Sequence, residues 1–114
     1  MSQAYDRDRL VELFGDDPAT VAEIEREFVD TARIAEREIN ATDDFALIAR
    51  AAHRLKGASG MIGAAGLSRM AEAVERTARA QDLSAVRRLR ERFGSEVQRV
   101  ADQAGLGRRR IVAE

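Results

Sequence analysis

The apolar residues of this chain recur every three or four positions along most of its length and nowhere alternate. Val21, Ile24, Phe28, Ala32, Ala35 and Ile39 form one row, and Phe45, Ile48, Ala52, Leu55, Ser59 and Ile62 a second. Leu67, Met70, Ala71, Val74 and Ala78 form a third, and Val86, Leu89, Phe93, Val97, Val100 and Ala104 a fourth. That spacing puts each row on one face of a helix, whereas a strand would need a period of two. A shorter row, Leu10, Leu13 and Phe14, predicts a short helix over residues 6–14, closed by Gly15. Helices that are apolar on one face must bury it against each other, and short connections make sequential neighbours antiparallel. The expected architecture is all-α: an antiparallel up-down four-helix bundle with a short N-terminal helix.

Start and stop signals fall between the rows. Asp17-Pro18 supplies a cap and then the only proline of the chain in the first turn, where its missing N–H does no harm. Thr42-Asp43-Asp44 marks the next start, and Asp82 or Ser84 caps the last helix. The second row runs out in Gly60-Met61-Ile62-Gly63-Ala64-Ala65-Gly66, with Gly63 as the expected stop. At 114 residues the chain suits a single domain. Residues 1–104 are expected to form it, with 105–114, which include Arg108, Arg109 and Arg110, as a flexible basic tail.

Charge is distributed unevenly. Residues 1–49 hold thirteen acids and five bases, residues 50–80 two and six, and residues 81–114 five and eight. The basic middle suits an anionic ligand or partner. Nucleic acid is not expected, because aromatics for base stacking are nearly absent and no DNA-binding signature occurs. The absence of cysteine excludes disulfides and thiolate chemistry. The opening residues lack the basic and apolar regions of a signal peptide, and no apolar run is long enough to span a bilayer, so a cytoplasmic location without membrane contact is expected. Monomer is the expected state, since no continuous apolar outer face is evident.

Within the basic middle stand the only histidine and the only lysine, His53 and Lys56, one helical turn apart. Imidazole is the side chain whose charge changes near neutrality, and lysine is a compact point charge where arginine is a fixed fork. His53 lies about 100° round the helix from the buried Ala52. Its own face carries Ala46, Ala49, Arg50, Lys56, Gly57 and Gly60, so the imidazole is expected to be exposed. Two glycines in a helix interior cost roughly 1 kcal/mol each relative to alanine, which is explained if they clear space beside His53. From spacing alone, a surface histidine near an early helix end fits equally. In the third row Glu75 can face the polar strip of the preceding helix and accept a hydrogen bond from Nδ1–H, which would leave the Nε2 lone pair outward. A solvated Glu75 paired with Arg79 at i+4 is the competing account.

Ala52-His53-Arg54-Leu55-Lys56-Gly57-Ala58-Ser59-Gly60-Met61-Ile62-Gly63-Ala64, followed by Leu67 and Val74-Glu75, resembles the signature of histidine-containing phosphotransfer (HPt) domains, four-helix modules of bacterial two-component phosphorelays. The likeness spans roughly residues 5–104. It implies that His53 is the phosphoacceptor, receiving the group on Nε2, that Lys56 contacts the phosphoryl oxygens, and that Gly57 leaves room beside the imidazole. Glu75 falls where some members have a carboxylate bonded to the histidine's Nδ1, and Glu72 where they have a second polar residue.

The resemblance further implies a phosphohistidine carrier that accepts its group from a phospho-Asp receiver domain and passes it to another response regulator. Partners would be receiver domains and a hybrid or other histidine kinase, with Mg²⁺ supplied on the receiver and no cofactor of the chain's own. No nucleotide-binding glycine loop is present, so ATP-dependent self-phosphorylation is not expected. Docking would use Ala46, Ala49, Gly57 and Gly60, with Arg50 and Arg54 steering an acidic partner from the rim. Two rivals remain: a small enzyme using His53 and Glu75 as a general-base pair, disfavoured because a solid bundle offers no obvious substrate pocket, and a non-phosphorylated helical adaptor.

Overall fold

The computed structural model describes residues 3–107. It contains five helices: α1 (Arg7–Phe14), α2 (Pro18–Asn40), α3 (Phe45–Met61), α4 (Ala65–Arg79) and α5 (Leu83–Gln103). Among the described residues there is no strand. α3 packs on α2 and α4, α5 packs on α4 and α2, and α1 lies against α2, which closes α2 to α5 into a ring of four neighbours. The antiparallel four-helix bundle with a short leading helix is therefore the fold.

Each expected start is capped by an aspartate. Asp17 accepts from the Thr20 N–H at 3.1 Å with Pro18 at the head of α2. Asp44 accepts from Ala46 and Leu47 at 2.9 and 3.3 Å, and Asp82 from Ala85 at 3.0 Å. These bonds satisfy N–H groups that the first helical turn leaves without partners, each worth about 1 kcal/mol. The far end of α2 is closed by a side chain from another helix: Arg90 of α5 donates to the carbonyls of Ile39 and Thr42 at 3.1 and 2.8 Å.

The core contains Leu10, Val21, Val29, Ile39, Ile48, Leu55, Leu67, Val74, Val86, Phe93 and Val100, all essentially without solvent exposure. Burying side chains of this kind contributes roughly 1.5–3 kcal/mol each, more than the propensity differences among ordinary residues, so packing rather than local preference holds the helices. Tyr5 joins them from outside any helix. It precedes the α1 cap Asp6 and is buried together with Leu10, the staple arrangement of a residue before the cap and one in the first turn. Its hydroxyl donates to the buried Glu25 of α2 at 2.5 Å, and Gln103 bonds the Ala4 and Tyr5 backbone from the end of α5.

The α3–α4 connection passes against the α1 cap. Gly63 adopts φ +73°, and a Cβ there would lie 2.8 Å from the Asp6 Cβ, so glycine is required on both counts. The α4–α5 turn does the opposite. Gln81 holds φ +59° after α4, a conformation costing a non-glycine residue roughly 1–2 kcal/mol. Of the expected tail, residues 105–107 turn back onto the bundle, where Arg33 donates to the Leu106 carbonyl at 2.9 Å. Residues 108–114, with Arg108, Arg109 and Arg110, lie outside the described residues.

Candidate functional site

His53 sits midway along α3 with its side chain 63% exposed. α3 turns its core stripe, Ile48, Ala52 and Leu55, inward, and this rotation leaves the imidazole at the α3–α4 seam. There Nδ1 lies 3.0 Å from Oε2 of Glu75, which is only 7% exposed. Nε2 has no protein partner among the described residues. With Glu75 ionised, Nδ1 carries the proton and donates it to the carboxylate, leaving the Nε2 lone pair on the outer edge of the ring.

Glu75 serves two further cations. Arg79, one turn along α4, donates to the same Oε2 through Nε at 3.1 Å and Nη2 at 2.8 Å. Lys56 brings Nζ to 3.5 Å from Oε1. The two accounts of Glu75 that spacing left in competition, imidazole acceptor and i+4 partner of Arg79, therefore hold together. The Arg79 guanidinium, aided by the His53 hydrogen bond and the His53 and Lys56 charges, holds the Glu75 carboxyl below its ordinary 4.5, against desolvation that pushes the other way. Glu75 thus stays an anionic acceptor at neutral pH. Glu72 is exposed on α4 and outside this cluster.

The expected surface residues divide. Gly57 and Gly60 are exposed. A Cβ added at Gly57 would meet nothing of the neighbouring elements within 4 Å, and at Gly60 only the Ser68 Oγ at 3.9 Å. Packing inside the molecule therefore does not explain either glycine, and the space they leave is open to whatever approaches His53. An open groove of about 440 Å³ runs from His53 along the seam, with Phe45, Ala46, Ala49 and Arg50 on the α3 side. Ala46 is exposed as expected, but Ala49 is not: it is 5% exposed and belongs to the core. Small residues let α3 and α4 approach closely, so burial spreads round the helix past the stripe and takes Ala49 with it. Arg54 turns to the other flank of α3, where it pairs with Glu38 of α2 beside Leu47 and Arg50.

Sequence reasoning set Arg79 against the imidazole as a rival partner of Glu75 instead of joining it to the cluster, and it missed Gln81 as part of the groove. The i+4 spacing from Glu75 signalled the first, and nothing in the sequence marks the second. Among the described residues no group of three or more His, Cys, Asp and Glu is placed to hold a metal ion, and no helix is long and apolar enough to cross a membrane.

A helical bundle presenting an imidazole with one nitrogen anchored and the other free is a scaffold for a surface histidine nucleophile. The Hpt domain family model matches residues 9–103, and the chain belongs to that family. Comparison with curated proteins and with solved structures gives no match. Hpt domains are phosphocarrier modules rather than kinases, which places the chain in a phosphotransfer-related role in two-component signalling, among histidine kinases and receiver domains.

Proposed function

We propose that the chain is a phosphorelay intermediate that takes a phosphoryl group onto His53 Nε2 from the phospho-aspartate of a receiver domain and delivers it to another response regulator. The observation that supports this best is the His53–Glu75 pair at 3.0 Å on an imidazole whose side chain is 63% exposed and whose Nε2 has no protein partner among the described residues. In the transfer step the Nε2 lone pair attacks phosphorus, an N–P bond forms, and the P–O bond to the aspartyl carboxylate breaks, returning that carboxylate as the leaving group. No proton need move. Positive charge developing on the ring is met at Nδ1–H by the Glu75 carboxylate. Phosphoryl transfer depends mainly on positioning and charge neutralisation, and these are what the cluster offers.

Lys56 meets the phosphoryl oxygens in this account, leaving Glu75 as negative charge arrives on the other side of the ring. Gly57 keeps the line of approach to Nε2 clear. Mg²⁺ acts on the receiver. Arg50, with its charge on the groove rim, steers the acidic partner, and Arg54 contributes from beyond Arg50 on the α2 side.

Receiver domains charged with labelled phosphate, mixed with the chain and Mg²⁺, test the proposal. Acid-labile, base-stable label is expected on the wild type and absent from His53→Gln. No label from any receiver of the source organism, with partner binding intact in His53→Gln, would instead make the bundle an adaptor.

A further inference from the structure

The groove beside His53 does not end at the histidine. It continues along the seam to the N-terminal end of α3 and the C-terminal end of α4, where Phe45 and Arg50 form one wall and Arg79 and Gln81 the other. Gln81 is the unusual member. The α4 terminus closes by two backbone bonds, Asp82 N–H to the Thr77 carbonyl at 3.0 Å and Gln81 N–H to the Ala78 carbonyl at 2.9 Å. This closure needs a left-handed residue at position 81, and glycine is what such positions favour. Among the described residues, the other positive-φ positions, 15, 63 and 105, are all glycine. Only the one that borders the histidine's groove carries a side chain. That side chain makes no hydrogen bond among the described residues, so it does nothing for the turn that strains to hold it.

We propose that Gln81 is a specificity contact for the receiver domain. Its carboxamide bonds polar backbone or side-chain groups of the partner loop that lies along the groove while the partner's aspartyl phosphate faces Nε2. The groove suits that occupant. Its floor is made of small apolar residues, Ala46, Ala49 and Ala78, and its rim carries two guanidiniums, Arg50 and Arg79. A phosphorylated aspartate and the Mg²⁺-binding carboxylates around it are the complementary charge. Strain held at a groove next to a reactive group is a pattern of functional sites, and here a strain-free residue was sterically available.

The inference rests on the phosphocarrier proposal, and the test separates the two. Gln81→Gly and Gln81→Asn are compared with wild type for thermal unfolding and for transfer from receiver domains charged with labelled acetyl phosphate and Mg²⁺. Gln81→Gly is expected to unfold at a higher temperature, because the strain is gone, yet to raise the KM for its receiver roughly three- to tenfold, the loss of one hydrogen bond, with kcat unchanged. Gln81→Asn, which tolerates the same φ and keeps an amide, should recover part of the KM. A structural residue would not become more stable and bind worse at once. Normal transfer by wild type with an unchanged KM in Gln81→Gly overturns the role of Gln81 alone. No transfer to wild type overturns the carrier proposal and this one with it.

Discussion

His53 Nδ1 and Arg79 share a single oxygen of Glu75, at 3.0 Å and 2.8 Å, while Lys56 stands 3.5 Å from the other. The carboxylate orients the imidazole, and two cations set how strongly it does so. Replacing Glu75 with alanine frees the ring and removes the anion that meets its developing charge. Transfer to His53 is expected to fall roughly tenfold, the worth of about 1.4 kcal/mol. Lys56→Ala should cost more, roughly ten- to a hundredfold, because the lysine answers charge on the phosphoryl group itself. Single-turnover rates with a charged receiver measure both; equal rates in Glu75→Ala and wild type would reduce Glu75 to a structural partner of Arg79.

Gly57 predicts opposite changes in stability and function. Its position in the α3 interior is helical, and an alanine Cβ there touches nothing of the neighbouring elements. Gly57→Ala should therefore stabilise the fold by about 0.5–1 kcal/mol while obstructing the approach to Nε2 and slowing transfer. Urea denaturation and the transfer rate read the two effects. A stabilised variant with an unchanged rate would show that the space beside His53 is not used.

Acid stability reports the Glu75 cluster. The folded carboxyl titrates below the unfolded value of 4.5, with Arg79 the largest cause. The sign follows: its contribution is complete above 4.5 and is lost as pH falls through the lower folded value. Urea midpoints followed from about pH 6 to about pH 3 should decline less in Glu75→Gln than in wild type, and Arg79→Met should fall between them. Superimposable curves for wild type and Arg79→Met would mean the guanidinium does not couple to Glu75 in solution.

Tyr5 makes the complementary prediction in alkali. Burial first, then the Glu25 hydrogen bond and charge, raise its phenol above the ordinary 10, with Arg7 opposing. A raised folded value means stability that is complete below 10 and lost as pH rises beyond it, since the unfolded phenol ionises first. Tyr5→Phe should remove that alkaline decline. At neutral pH it should cost about 1–3 kcal/mol, because Glu25 stays buried with only Arg7, at 3.3 Å, as a donor. Thermal midpoints across both pH ranges check it.

The fold was legible because its helices announce themselves: the apolar rows at 3–4 spacing and the aspartates 17, 44 and 82 stand where the helices begin. His53, Lys56 and Glu75 were legible for the same reason, since helical phase puts them on facing flanks. Ala49 was misplaced because a helical wheel knows the centre of a buried face and not its width, which the close α3–α4 approach sets. The Tyr5 strap escaped notice because two residues have no period, although Tyr5 and Leu10 flank the Asp6 cap at staple spacing. Imidazole and Arg79 looked like rivals for Glu75 only if a carboxylate is counted as one acceptor, and it has room for several. The left-handed Gln81 has no sequence signal at all, since the residue that would announce that conformation is glycine.

The attachment point of the phosphoryl group tests the central claim most directly. Nitrogen-15 labelled protein, phosphorylated by a charged receiver, can be examined by long-range proton–nitrogen correlation and by the phosphorus–nitrogen coupling of the single imidazole. The geometry requires phosphorus on Nε2 of His53 with Nδ1 still protonated and bonded to Glu75. Phosphorus on Nδ1, or label elsewhere in the chain with the His53 ring unmodified, would contradict it.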